Sequence, residues 1–155
     1  MSAQKVTAPI ADAINTHYEG LARDELLITR CTACGRHQFP PRIVCYGCSA
    51  DGTLEWVPAS GQGEVWSFVT FHKAYFPPEV RSVPYNVAVV LLDEGPRIVT
   101  NVIGLPDEDL AIGLRVRAGF RHDSEEHLVV FQPTTEPSTN PHTDSAPSSD
   151  GAQTS

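Results

Sequence analysis

The first periodic stretch of the chain begins at Pro9, after which Ile10, Ile14, Tyr18 and Leu21 recur at spacings of four, four and three. That is one apolar stripe of a short helix, with Pro9 suited to its first turn and Gly20 to its exit. Residues 25–30 then read as a strand around Leu26, Leu27, Ile28 and Thr29 that runs directly into Cys31. A second strand is expected over residues 54–57, ended by Pro58. Beyond a Gly, Pro and Ser-rich boundary near Ala59, strand patterns occupy residues 63–72, 85–92, 97–103, 114–120 and 127–132. Five short strands separated by turn signals predict a small barrel or sandwich. Residues 93–96 form a hairpin turn between the second and third of them, and residues 106–110 hold one helical turn. Five strands with one inserted element is the OB-fold count.

The segment from residue 133 onward is dominated by Pro, Thr, Ser, Asp, Asn, Gly and Gln. Ordering it would cost about 1–2 kcal/mol per residue with little apolar surface to offset that, so a disordered tail is expected over 133–155. The resulting division is an N-terminal helical segment over 1–23, a cysteine-bearing segment over 24–58, a barrel over 59–132 and the tail.

A length of 155 residues allows one domain, or two small modules sharing a core. Its apolar runs fall well short of the roughly 20 residues needed to span a bilayer. Residues 1–8 lack a basic region followed by an apolar one, which points to the cytoplasm and to reduced thiols. Eleven Lys and Arg stand against nineteen Asp and Glu, a net charge of −8. Proteins that hold nucleic acid draw much of their affinity from neutralised phosphates, so this balance argues against that class.

Against that background the four cysteines carry the strongest signal. Cys31-Thr-Ala-Cys34 and Cys45-Tyr-Gly-Cys48 are two C-x-x-C knuckles with ten residues between them. Each places two sulfurs on one tight turn, and together they supply a closed tetrahedral zinc shell. A shell filled by sulfur has no position for an activated water, which makes the zinc structural and not catalytic. Gly35 and Gly47 are available for the positive-φ backbone such turns require. A redox pair or two pairs of buried free thiols are the alternatives for the same cysteines. His37 lies between the knuckles, but the sulfurs already complete the set.

The run Cys-Thr-Ala-Cys-Gly-Arg-His-Gln-Phe-Pro-Pro-Arg-Ile-Val-Cys-Tyr-Gly-Cys over residues 31–48 resembles the acyl-CoA-associated zinc-ribbon/OB-fold family catalogued as domain of unknown function thirty-five. Phe39-Pro40-Pro41-Arg42 between the knuckles is more specific than the metal spacing. The similarity continues through residues 84–96, 100–102 and 112–116, and extends over about residues 10–132. Tyr46 departs from the proline common after the third cysteine and leaves the ligands intact. The resemblance implies a mainly β chain with a short N-terminal helix, a rubredoxin-like zinc ribbon and a five-stranded OB-fold. It also implies a partner of the thiolase superfamily, such as a lipid-transfer-type thiolase, an aldolase or an acyltransferase. In that family the partner makes or breaks carbon–carbon bonds in CoA thioesters, the small subunit stabilises it, and the complex holds two copies of each chain.

Several residues admit a functional and a structural reading. Arg30, Arg36 and Arg42 flank the knuckles and suit the phosphates of CoA, or simply offset the thiolate centre. His72, at a strand end, would be a general base in a free-standing enzyme, yet no nucleophile motif accompanies it. Tyr75 and Phe76 precede Pro77-Pro78, which stiffens their loop, and they are expected either to anchor a partner or to cap the barrel. Trp56, Trp66, Phe68 and Phe71 could stack bases in an OB-fold. Strict alternation puts Trp66 and Phe68 on one face and Val65, Val69 and Phe71 on the other, with a core role for most of them. Three functions follow in order: a non-catalytic accessory subunit that binds structural zinc and shares a CoA thioester with its partner, a zinc-ribbon/OB-fold protein for single-stranded nucleic acid, and an enzyme using His72.

Overall fold

The computed structural model describes residues 10–79, 82–122 and 127–134. The expectations for residues 1–8 and for a disordered tail lie outside the described residues, except that Pro133 ends the last strand and Thr134 follows it. No described helix is long and apolar enough to cross a membrane.

Helix α1 (Ile10–Leu21) rests on the first strand by a face that hydropathy alone does not mark. His17, Gly20 and Leu21 are buried, whereas Ile14 and Tyr18 of the expected stripe are 43% and 52% exposed. The reason is close approach. A Cβ on Gly20 would lie 2.8 Å from the Leu27 side chain and 2.9 Å from the Glu25 carbonyl, so glycine lets the helix settle there. The His17 Nδ1–H donates to the Leu27 carbonyl at 3.0 Å beside it. Gly20 is therefore a packing position and not the helix exit, which comes after Leu21.

Strands β1 (Leu27–Cys31), β2 (His37–Gln38) and β3 (Leu54–Pro58) form an antiparallel sheet in the order β2-β1-β3. Two buried polar side chains on it are satisfied. The Thr29 hydroxyl donates to the Gln38 carbonyl at 3.0 Å, and the Gln38 Oε1 accepts the Tyr46 backbone N–H at 3.2 Å. Gln38 thus ties the second knuckle to the sheet that carries the first.

The second sheet contains β4 (Gln62–Phe71), β5 (Tyr85–Leu92), β6 (Arg97–Thr100), β7 (Arg115–His122) and β8 (His127–Pro133) in the antiparallel order β6-β5-β4-β7-β8. It curls into a half-barrel whose edges meet at a parallel bridge between Val102 and Phe131. Asn86 holds the chain at that crossing, its amide donating to the Val102 carbonyl at 2.8 Å and accepting the Val102 N–H at 2.9 Å. This is why β6 ends at Thr100, earlier than the pattern to residue 103 suggests: the chain leaves β5 to reach β8. A single 3-10 turn over Asp107–Asp109 occupies the expected place before β7.

Alternation along β4 fails at one residue. The register with β5 shifts between Val65 and Ser67, leaving Trp66 as the extra residue of a bulge. Val65 and Phe68 pair with the buried Val90 and Ala88, while Val69 and Phe71 pair with Val87 and Tyr85 on the outer face. The expected grouping of Trp66 with Phe68, and of Val65 with Val69, is thereby corrected. Trp66, Phe68 and Val69 are exposed, so the core role expected for these aromatics holds for Trp56 and not for Trp66.

Leu21 of the helix and Leu26 and Ile28 of the ribbon pack in one cluster with Val65, Val90, Val116 and Phe131 of the half-barrel. The two sheets therefore share a core. A smaller cluster of Cys31, Cys45, Leu54 and Trp56 lies under the cysteine knuckles.

Candidate metal centre

Cys31 is the last residue of β1, and Cys34 follows on a turn whose Gly35 N–H donates to the Cys31 carbonyl at 2.8 Å. The second knuckle repeats that turn, with the Ser49 N–H donating to the Cys45 carbonyl at 2.8 Å. The residue after each second cysteine takes positive φ, Gly35 at 74° and Ser49 at 59°. Gly47, expected to need that freedom, does not use it. A Cβ at Gly47 would instead meet the Arg36 Nε at 2.6 Å, so glycine there makes room for the arginine.

The four sulfurs lie within 4.8 Å of one another. Cys31 Sγ and Cys48 Sγ are 3.7 Å apart, as are Cys34 Sγ and Cys45 Sγ. Tetrahedral sulfurs each about 2.3 Å from zinc stand about 3.8 Å apart. The cage therefore fits zinc in donor type and in size, and all four cysteines are free of disulfides.

Hydrogen bonding prepares part of this set for ionisation. The Thr53 hydroxyl, 3.2 Å from Cys31 Sγ, brings that thiol down to about 6, helped by backbone N–H groups of the knuckle. Backbone N–H groups led by that of Cys48 lower Cys45 as well. Cys48 moves the other way, to about 11, because neighbouring sulfurs and burial outweigh the bond from the Ala50 N–H. Four thiolates at this spacing repel one another, and a divalent cation is what relieves the repulsion.

The other residues singled out in the sequence are dispersed. Arg30 is exposed and stands across the ladder from Glu55. Arg36 reaches over Gly47 to place its guanidinium 5.6 Å from the Tyr46 ring centre, and Arg42 is exposed beyond the buried Pro41. His72 is exposed just past β4 and makes no hydrogen bond or ion pair among the described residues. Tyr75 and Phe76 are 62% and 51% exposed, and the Tyr75 ring packs edge-on against Phe71, which stacks on Tyr85. Arg97 covers the Trp66 ring at 3.9 Å, occupying the face a base would need.

Sequence reasoning missed an apolar groove of about 330 Å³ between α1, Phe39-Pro40-Pro41 of the ribbon, and strands β6 and β8. Ile14 and Tyr18 line it, which explains why that part of the apolar stripe of α1 is exposed. The signal was present in that stripe, but hydropathy does not say whether it faces a core or a groove.

Comparison with known proteins identifies the architecture. Residues 19–55 match the family described as ChsH2, rubredoxin-like zinc ribbon domain, and residues 56–121 match ChsH2, C-terminal OB-fold domain. A probable enoyl-CoA hydratase alpha subunit of Thermomonospora curvata is 36% identical over 119 residues, 75% of this chain and 36% of that protein. The chain thus spans about a third of that relative's length. A DUF35 domain-containing scaffold protein of Methanocaldococcus jannaschii is 35% identical over 101 residues, 65% of this chain and 71% of that protein. Among solved structures, one described as an Ltp2-ChsH2(DUF35) aldolase aligns with a TM-score of 0.70 at 34% identity, covering 77% of this chain and 92% of the matched chain. With both family matches, a scaffold relative covered over most of its length and the same zinc-ribbon and OB-fold order, this chain belongs to the DUF35 family of ChsH2-type proteins.

Proposed function

We propose that this chain is a non-catalytic accessory subunit of a thiolase-superfamily enzyme acting on CoA thioesters in the cytoplasm, the partner being a lipid-transfer-type thiolase, an aldolase or an acyltransferase. One observation carries the reading: its likeness to the structure described as an Ltp2-ChsH2(DUF35) aldolase spans 92% of the matched chain. Cys31, Cys34, Cys45 and Cys48 hold a structural zinc in this reading, and the ion supplies folding energy to a segment too small to build its own core. The ribbon over 24–58 and the OB-fold over 59–132 then present a preformed surface to the partner. Tyr75 and Phe76 are its anchors, since exposed aromatics on a proline-stiffened loop lose little entropy on docking. The exposed Arg30, Arg36 and Arg42 contribute to the passage for the CoA phosphates.

Co-expression with a thiolase-superfamily protein of the same organism tests the proposal. A stable hetero-oligomer with two copies of each chain is expected on gel filtration, with no turnover by this chain alone. Phe76→Ala is expected to weaken assembly while leaving the zinc content unchanged. Separate elution of the two proteins at micromolar concentration would overturn the reading.

A further inference from the structure

Strands β7 and β8 end in a directly opposed pair, His122 and His127. Cross-strand partners hold their Cβ atoms about 4.5–5.5 Å apart, close enough for two imidazoles to share one atom between them. Their Nδ1 atoms face each other at 2.9 Å, with ring planes inclined at 68°. The opposite nitrogen of His122 is also engaged: Nε2 lies 2.8 Å from Asp24 Oδ1, in the turn after α1. Because a carboxylate only accepts, Nε2 carries a proton, and Nδ1 is then the nitrogen whose lone pair the neutral tautomer turns toward His127.

This is the arrangement by which a carboxylate orients a metal-binding histidine, taking the outer N–H so that the inner nitrogen faces the ion. Two nitrogens each about 2.0–2.1 Å from an ion and at right angles to one another, as in tetragonal nickel or copper sites, are separated by about 2.9 Å. The observed 2.9 Å fits that cis geometry. Asp24 holds φ at 59°, a left-handed backbone that aspartate tolerates, and in that conformation its carboxylate meets a ring 98 residues further along the chain.

We propose that His122 and His127 form a chelating site for a divalent transition-metal ion, with Asp24 as the positioning carboxylate behind His122. Imidazole donors at right angles select the nickel and copper class, and water fills the remaining positions because the His122 side chain is 42% exposed. In the metal-free pair, one proton lies between the Nδ1 atoms. When the ion takes that place, the proton moves to Nε2 of His127, so both rings stay neutral and each donates one lone pair. The site is separate from the four cysteines and clips the turn after α1 to the β7–β8 hairpin.

Nickel ion is the probe, titrated calorimetrically into the full untagged chain carrying its ribbon metal. One equivalent is expected to bind. His122→Ala and His127→Ala are each expected to lower the affinity at least about tenfold, Asp24→Asn to lower it about tenfold, and His72→Ala to leave it unchanged. Absence of binding, or binding that survives both β-strand histidine substitutions, would overturn the site. So would a thiolate-to-nickel charge-transfer band accompanying uptake, since it would place the ion at the cysteines. An Asp24→Asn chain that binds as tightly as the parent would remove the carboxylate from the assignment.

Discussion

His17 is the buried side chain whose ionisation matters most to the contact between helix and ribbon. Burial holds its imidazole below the ordinary 6.5, against a smaller opposing effect from the Leu27 carbonyl. A histidine depressed in the folded state binds fewer protons there than in the unfolded chain, so stability falls as pH drops through 6.5 toward the folded value. His17→Gln keeps an N–H donor and loses the titration. Urea unfolding of both chains between about pH 7.5 and 5 should show the parent losing stability relative to the variant; a difference independent of pH would mean the ring is not held neutral. Gly20 poses a related question of magnitude. Replacing it with alanine gains about 1 kcal/mol of helix propensity. The new Cβ would meet the Glu25 carbonyl at 2.9 Å, and backbone there cannot swing aside. Overpacking costs about 1–3 kcal/mol, so Gly20→Ala is expected to lower the denaturant midpoint, and an unchanged or higher midpoint would show that the helix shifts freely.

At the scale of elements, the ribbon has few means of support besides the zinc proposed for it. Its buried apolar residues at the knuckles are Cys31, Cys45, Leu54 and Trp56, and two of those four are proposed ligands. Removing the zinc with a chelator under reducing conditions should expose the amides of β1 to β3 to hydrogen exchange before those of β4 to β8. Because Leu26 and Ile28 also belong to the half-barrel core, the barrel should lose part of its stability at the same time. Cys34→Ser is expected to reduce zinc below one equivalent, by metal analysis of protein purified without chelator. Simultaneous exchange across both sheets would show that the metal supports the whole molecule equally. In β4, the Trp66 bulge turns Val69 and Phe71 outward beside Tyr75, which joins the strand to the proposed docking loop.

For the molecule as a whole, charge and surface chemistry separate the functional readings. A net charge of −8 and an Arg97 side chain seated on Trp66 both oppose a nucleic-acid role for the OB-fold. Fluorescence anisotropy with labelled single-stranded DNA at low salt, where electrostatic attraction is strongest, should show no binding. Salt-sensitive, tight binding there would favour the other class. Exposed apolar residues occur on β4, on the Tyr75–Phe76 loop and along the groove beside α1, the kind of surface a protein partner buries.

Much of this architecture was legible in the sequence because it rests on local rules. Two C-x-x-C turns fix sulfur spacing within a few residues, and strand patterns between turn residues marked β4, β5, β7 and β8 nearly to their ends. What the tertiary structure decided was set by partners distant in sequence. The face of α1 depended on a carbonyl at Leu27, the end of β6 on Asn86 and Phe131, and the outward turn of Trp66 on pairing with β5. The meeting of Asp24 with His122 and His127 likewise has no local signature, since residues about a hundred positions apart become neighbours only when the two sheets share a core.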